Sequence, residues 1–214
     1  MDSNFDFLEV YDDTLSKEQC DKLIKDFEDV SPLSGRKVYE GVLDGNSVDG
    51  TGQRKYSTTL YSDMQDSLFQ AFNIPTDISL QKGLRAYKEK YSFLNEISLW
   101  GCWRYYNIQK YEDGQGYYRL HCEHDSADAS GFRRILAWMI YLNDAECGTE
   151  FPYQNKKLDA KTGRLVIWPA AWSHPHKGVT PNKGLKYIAT GWYNFTDERT
   201  NKQCKNLFLI LMAH

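Results

Sequence analysis

The chain has 214 residues, 41 % of them hydrophobic and 26 % charged, a composition that excludes a disordered chain or a membrane bundle and suits one globular domain over 1–214. Its 26 basic and 29 acidic residues leave a net charge of −3, so no global basic field exists to hold nucleic acid. None of the five Cys forms a C-x-x-C pair, which removes zinc-ribbon and thioredoxin readings and points to free thiols in a reducing compartment.

The opening Met1-Asp2-Ser3-Asn4-Phe5-Asp6 is acidic where a signal peptide is basic, and no apolar segment follows. Residues 1–30 carry ten acids against three bases, and residues 155–205 ten bases against three acids. Two solvated faces are the plain reading; a positive rim around an anionic substrate is the functional one. Leu15–Val30 reads as a helix, with Cys20, Leu23, Ile24 and Phe27 on one stripe and Ser16…Gln19 as a capping box. Asp63–Phe72 reads as a second helix and Leu80–Leu94 as a third, separated by Pro75. Residues 1–98 are therefore expected to form a mainly helical support region.

From Trp100 the period becomes that of strands. Trp100–Tyr111 ends at the turn signal Glu112-Asp113-Gly114, and Tyr117–Glu123 follows. Ile135–Leu142 is a continuous apolar run, as in a strand buried on both faces. Thr149–Phe151, Arg164–Trp168, Trp172–Val179 and Leu185–Phe195 complete the set, the last two joined by a Pro181-Asn182-Lys183-Gly184 turn. The core is thus expected over 99–195, with an extension over 196–214. Its apolar run 207–213 is too short to span a bilayer and reads as a terminal element packed on the core. Helices first and strands afterwards give an α+β domain with a sandwich or small barrel.

Four of the five histidines fall in two short segments, and on a strand His121 and Glu123 project to one face, as do His174 and His176. Two His and one carboxylate form the facial triad of non-haem Fe(II) enzymes; surface histidines, or a zinc site with a separate general base, are the competing readings. Lys186 alternates with Ile188, Thr190 and Trp192 on one face of the last strand. An ammonium among such neighbours is costly unless it meets an anion, and a bound dicarboxylate suits it.

The ordered motifs Tyr111…Gly116-Tyr117…His121-Cys122-Glu123, Ile140-Tyr141-Leu142-Asn143, Gly148-Thr149-Glu150-Phe151-Pro152 and Ile167-Trp168-Pro169…His176…Gly184-Leu185-Lys186-Tyr187 resemble the prolyl 4-hydroxylase-like Fe(II)/2-oxoglutarate dioxygenases, closest to small bacterial and phage members. The opening Phe7-Leu8-Glu9-Val10…Gln19-Cys20 resembles their first strand and helix. The resemblance implies a double-stranded β-helix (jelly roll) with N-terminal helices packed on one sheet. It makes His121, Glu123 and His176 the iron ligands. Lys186 and Tyr141 become partners of the distal carboxylate of 2-oxoglutarate, and Tyr111, Thr190 and Trp192 walls of the pocket. His174, which is too far from Lys186 for the family's spacing, is expected at the pocket rim or behind the ligands.

The implied cofactors are Fe(II) and 2-oxoglutarate, with ascorbate as reductant, and the implied products are succinate and CO2. A prolyl residue of a protein or peptide is the first substrate; a free amino acid or other small molecule is the second. A nucleic-acid substrate is not expected, because the Arg pair of the demethylases is missing after His176, nor is a membrane. The expected compartment is the cytoplasm, that of the host for a phage protein. Two features depart from the family: Glu123 stands where Asp is usual, with Asp125 as a fallback ligand, and His174 is extra. Glu123 also keeps open a non-catalytic, cupin-like binding module.

Overall fold

The computed structural model describes residues 5–30, 38–44, 53–64, 70–97, 99–124, 131–179 and 184–196. A short strand β1 (Glu9–Tyr11) leads into helix α1 (Lys17–Val30). The capping box is formed: the Ser16 N–H donates to Gln19 Oε1 at 2.8 Å and the Gln19 N–H to Ser16 Oγ at 3.3 Å, so two of the helix's orphan donors are satisfied. Cys20, Leu23, Phe27 and Val30 are buried along one stripe.

Two strands follow, β2 (Val38–Asp44) and β3 (Gln53–Asp63), in the region read from sequence as helical. Asp63, expected to open a helix, ends β3. Helix α2 (Gln70–Lys90) runs through Pro75 instead of breaking there. Proline removes one backbone donor from a helix, but other bonds hold this stretch to the sheet. Tyr106 donates to Asn73 Oδ1 at 2.6 Å, and Tyr193 to the Leu80 carbonyl at 3.1 Å.

The remaining strands are β4 (Trp100–Tyr111), β5 (Gly116–Tyr117), β6 (Arg134–Tyr141), β7 (Ala145–Phe151), β8 (Lys156–Ala160), β9 (Leu165–Pro169), β10 (Lys177–Gly178) and β11 (Lys186–Phe195). Sequence reading places most of them, but not β8. It also makes 117–123 and 172–179 longer strands than they are: beyond β5 and β10, their pairing is an isolated bridge between His121 and His176. The 181–183 turn and the 207–213 run lie outside the described residues.

All described pairings are antiparallel. The large sheet runs β1-β9-β6-β11-β4-β3-β2, with β5 on β3; the small sheet runs β10-β7-β8. Two sheets built this way form the jelly roll, and strand alternation gives it two cores. Leu136, Trp138 and Ile140 of β6, with Leu165 and Ile167 of β9, join Leu23, Phe27 and Leu80 of the helices. Ala137, Met139 and Tyr141, with Val166 and Trp168, instead join Phe151 and Ala160 of the small sheet. β6 is therefore buried on both faces, as its unbroken apolar run requires.

A candidate metal centre in the jelly roll

The second face of the large sheet bounds a cavity of about 190 Å³. β4 contributes Asn107, Gln109 and Tyr111, β11 contributes Lys186, Ile188, Thr190 and Trp192, and β6 contributes Met139 and Tyr141. Cross-strand register puts Lys186 opposite Tyr111 and Thr190 opposite Asn107, so the cavity runs along this pair of strands.

At one side His121, Glu123 and His176 converge, with their ligand atoms all within 4.8 Å of one another. The bridge between His121 and His176, bonded both ways at 3.0 and 2.8 Å, brings together segments 55 positions apart. His121 Nδ1 lies 3.0 Å from the Arg119 carbonyl, and His176 Nδ1 lies 3.1 Å from the His174 carbonyl. A carbonyl only accepts, so each Nδ1 carries a proton and each Nε2 is left for a ligand role. These Nε2 atoms face Glu123 Oε1 at 3.8 and 3.3 Å. Three acceptors aimed at one point call for a cation. Two imidazoles and a carboxylate, open on the cavity side, match the donor set of non-haem Fe(II) sites.

The three side chains are held from several sides. The Tyr117 ring stacks on His121 with centroids 3.7 Å apart, while Phe151 and Trp168 flank His176 at 5.3 and 5.1 Å. Trp192 Nε1 donates to Glu123 Oε2 at 2.6 Å. Burial alone would raise the Glu123 pKa. The hydrogen bond and positive charge that His176 offers when protonated, the charge of His121, and the Trp192 N–H outweigh it. They hold this carboxyl well below the usual range.

Farther along the cavity Lys186 is 3 % exposed. Its Nζ donates to the Val179 carbonyl at 3.1 Å, lies 3.4 Å from that of Gly148, and sits 4.8 Å over the Tyr111 ring. No described carboxylate pairs with it, and burial lowers its pKa from the ordinary 10.5. Tyr141 is fully buried and donates to Thr149 Oγ1 at 2.8 Å; Tyr111 donates to Gln109 Oε1 at 2.6 Å. Thr190 faces the cavity with its hydroxyl donating to the Trp138 carbonyl at 2.8 Å.

His174 does not share the direction of His176. Its ring is buried against Ser173 Oγ at 2.9 Å and the Asp6 carbonyl at 2.7 Å, and it is not part of the cavity wall. The segment is a turn rather than a strand here, so alternation does not apply; only the His174 carbonyl touches the His176 ring. His124 bonds the Arg134 carbonyl, and Asp125 lies outside the described residues. Sequence reading did not single out Arg134, Lys55, Asn107 or Gln109, which all line the cavity. The alternation of Asn107 and Gln109 along β4 was the available signal, but nothing showed which face was the inner one. Of the described bases in 155–205, only Lys186 lines the cavity.

A family model described as the 2OG-Fe(II) oxygenase superfamily matches residues 106–194. No curated protein matches the chain. Among solved structures, the viral collagen prolyl hydroxylase of Paramecium bursaria Chlorella virus-1, in its 2OG complex, superposes with a TM-score of 0.63 at 20 % identity, covering 89 % of this chain and 97 % of that one. A Pseudomonas putida prolyl-4-hydroxylase gives 0.61 at 15 % identity, covering 89 % and 94 %. A Trichoplax adhaerens prolyl hydroxylase, in complex with a hypoxia inducible factor peptide fragment, gives 0.60 at 15 % identity, covering 90 % and 85 %. Residues 106–194 thus match the model of the 2OG-Fe(II) oxygenase superfamily, and the chain has the fold of the prolyl 4-hydroxylases.

Proposed function

We propose that this single-domain chain hydroxylates a prolyl residue of a peptide or protein, using Fe(II) and 2-oxoglutarate and releasing succinate and CO2. The observation that carries the reading is one cavity holding three converging acceptors, His121, Glu123 and His176, and a buried ammonium, Lys186, with no described carboxylate partner. Fe(II) and 2-oxoglutarate, when bound, supply the oxidative decarboxylation that delivers one oxygen atom to a substrate C–H bond.

The chain's own residues bind, orient and shield. His121, Glu123 and His176 would hold the metal, their rings fixed by carbonyls and flanking aromatics. Lys186 would meet the distal carboxylate of the cosubstrate with a charge-assisted bond. Tyr141 lies in the same wall, where turning its hydroxyl from Thr149 would provide a second donor. Tyr111 closes the wall under the Lys186 ammonium, and Thr190 and Trp192 line the side nearer the ligands. Met139, Ile188 and Trp168 keep the cavity partly apolar, which strengthens each charged contact.

The peptide fragment bound by the Trichoplax relative supports a peptide substrate. A second reading, a free amino acid or other small polar molecule, is favoured by Asn107: the residue is buried, lines the cavity and has no described side-chain hydrogen-bond partner. Succinate release, measured with Fe(II), 2-oxoglutarate and ascorbate as reductant, tests both. Stimulation by Pro-containing peptides supports the first reading. Stimulation by free amino acids alone supports the second, and no release above the uncoupled background with either rejects both.

A further inference from the structure

We propose that Trp192 and Arg134 are positioning residues that tether one oxygen of Glu123, so that only the other is presented to the metal; this rests on the metal-centre reading above. A glutamate reaches one methylene further than the aspartate usual in the resembling family. Its additional rotatable bond adds disorder that a rigid centre must remove. The structure shows how it is removed. The indole N–H of Trp192, which can only donate, bonds Oε2 at 2.6 Å, leaving Oε1 towards the imidazoles at 3.3 and 3.8 Å.

Arg134 completes the tether from three directions. Its guanidinium carbon lies 3.8 Å over the Trp192 ring, its Nη1 donates to the Glu123 carbonyl at 2.9 Å, and the same nitrogen is 3.6 Å from Oε2. The indole plane and the Glu123 main chain are thus held by one side chain. Arg134 and Trp192 stand on neighbouring strands, with Trp192 opposite Ala137 and Asn194 opposite Arg134. Glu123, by contrast, lies outside any strand and hangs from the Ala170 carbonyl at 3.0 Å. The rigid sheet therefore fixes the carboxylate that the loop alone would leave mobile.

A staple that only holds the loop to the sheet would produce the same contacts. Co(II) binding followed by its visible spectrum separates the two. Trp192→Phe keeps a ring under Arg134 and removes the N–H; Co(II) affinity should fall about 10–100-fold, as for other groups that orient metal ligands, with a changed spectrum. Glu123→Asp should weaken Co(II) binding in the wild-type background, because the shorter chain cannot reach both the indole and the metal. In the Trp192→Phe background it should add little, a non-additivity that a loop staple does not produce. Wild-type affinity and spectrum in Trp192→Phe, or independent effects in the double variant, would overturn the tether alone. A wild-type protein that binds no Co(II) would overturn the metal centre and the tether together. The wild type also gives a measurement free of folding effects: the Trp192 indole N–H resonance should lie downfield and move on Zn(II) addition. A position typical of free indole, unmoved by metal, would overturn the proposal.

Discussion

A buried lysine is costly to hold in this cavity. Two backbone carbonyls satisfy part of its ammonium, and no described anion neutralises it. Lys186→Ala is expected to weaken 2-oxoglutarate binding by about one to two orders of magnitude, the value of a charge-assisted contact of ~1.5–3 kcal/mol. Metal affinity should barely change, so titrations with each ligand separate the two effects. Tyr141→Phe should act in the same direction and less, since it removes a neutral donor. The pH dependence follows from burial, which lowers the Lys186 pKa below the ordinary 10.5. The ammonium is the binding form, so affinity should be flat at neutral pH and fall as pH rises, beginning earlier than for an exposed lysine. Among the histidines, His176→Ala should abolish metal binding. His174→Ala should leave the metal bound, because only its carbonyl reaches the His176 ring while its imidazole bonds Asp6. Metal content of the two purified variants reads this directly.

At the scale of elements, the small sheet is built around Gly148. A Cβ there would lie 1.7 Å from the Leu158 carbonyl oxygen across the β7–β8 ladder, and that neighbour is backbone rather than a yielding side-chain tip. Gly148→Ala is expected to lower stability, measured by denaturant unfolding, by an amount on the order of 1–3 kcal/mol. It should also weaken 2-oxoglutarate binding, since any shift of the Gly148 backbone moves a carbonyl that Lys186 faces. Elements with one dominant period were legible in the sequence: α1 from its stripe and capping box, β4 and β6 from aromatic and apolar runs, β11 from alternation. β3 was not, because its inner face is Lys55, Ser57 and Thr59, buried polar residues without a hydrophobic signal. α2 was split at Pro75 because the Tyr hydroxyls that anchor it arrive from distant strands. The same limit applies to the site. His-x-Glu, the distal His and Lys186 stood out by spacing and by resemblance. The Trp192–Glu123 bond and the place of Arg134 depend on how β6 and β11 register, which no local pattern encodes.

Across the whole molecule, the uneven charge of the chain resolves into pairing. Asp6 meets Lys156 at 2.5 Å, and Asp12 meets Arg164 at 2.6 Å and Lys161 at 3.2 Å. The acidic amino-terminal segment is thereby laid on the basic one beside the β1–β9 ladder, and this part of the basic excess serves the fold rather than a substrate rim. The Arg164 hydrogen bond is the main cause that takes the Asp12 carboxyl from its ordinary 3.8 down to about 2. A carboxyl depressed on folding stabilises above its ordinary pKa and loses that contribution as pH falls through the folded value. Asp12→Asn should therefore flatten acid destabilisation between those two values, read from unfolding midpoints against pH. No helix among the described residues is long and apolar enough to cross a membrane.

The metal centre is the claim on which the rest depends. Its occupants should stabilise the fold by about 2.7 kcal/mol at a hundredfold excess over Kd, but stabilisation alone does not show that both share one site. Anaerobic titration of the protein with Fe(II) and then 2-oxoglutarate, followed in the visible spectrum, tests the claim most directly. A weak charge-transfer band that saturates at one metal per chain, persists in His174→Ala and is lost in His176→Ala is the expected result. No band in the wild type, or a band retained in His176→Ala, would contradict the assignment.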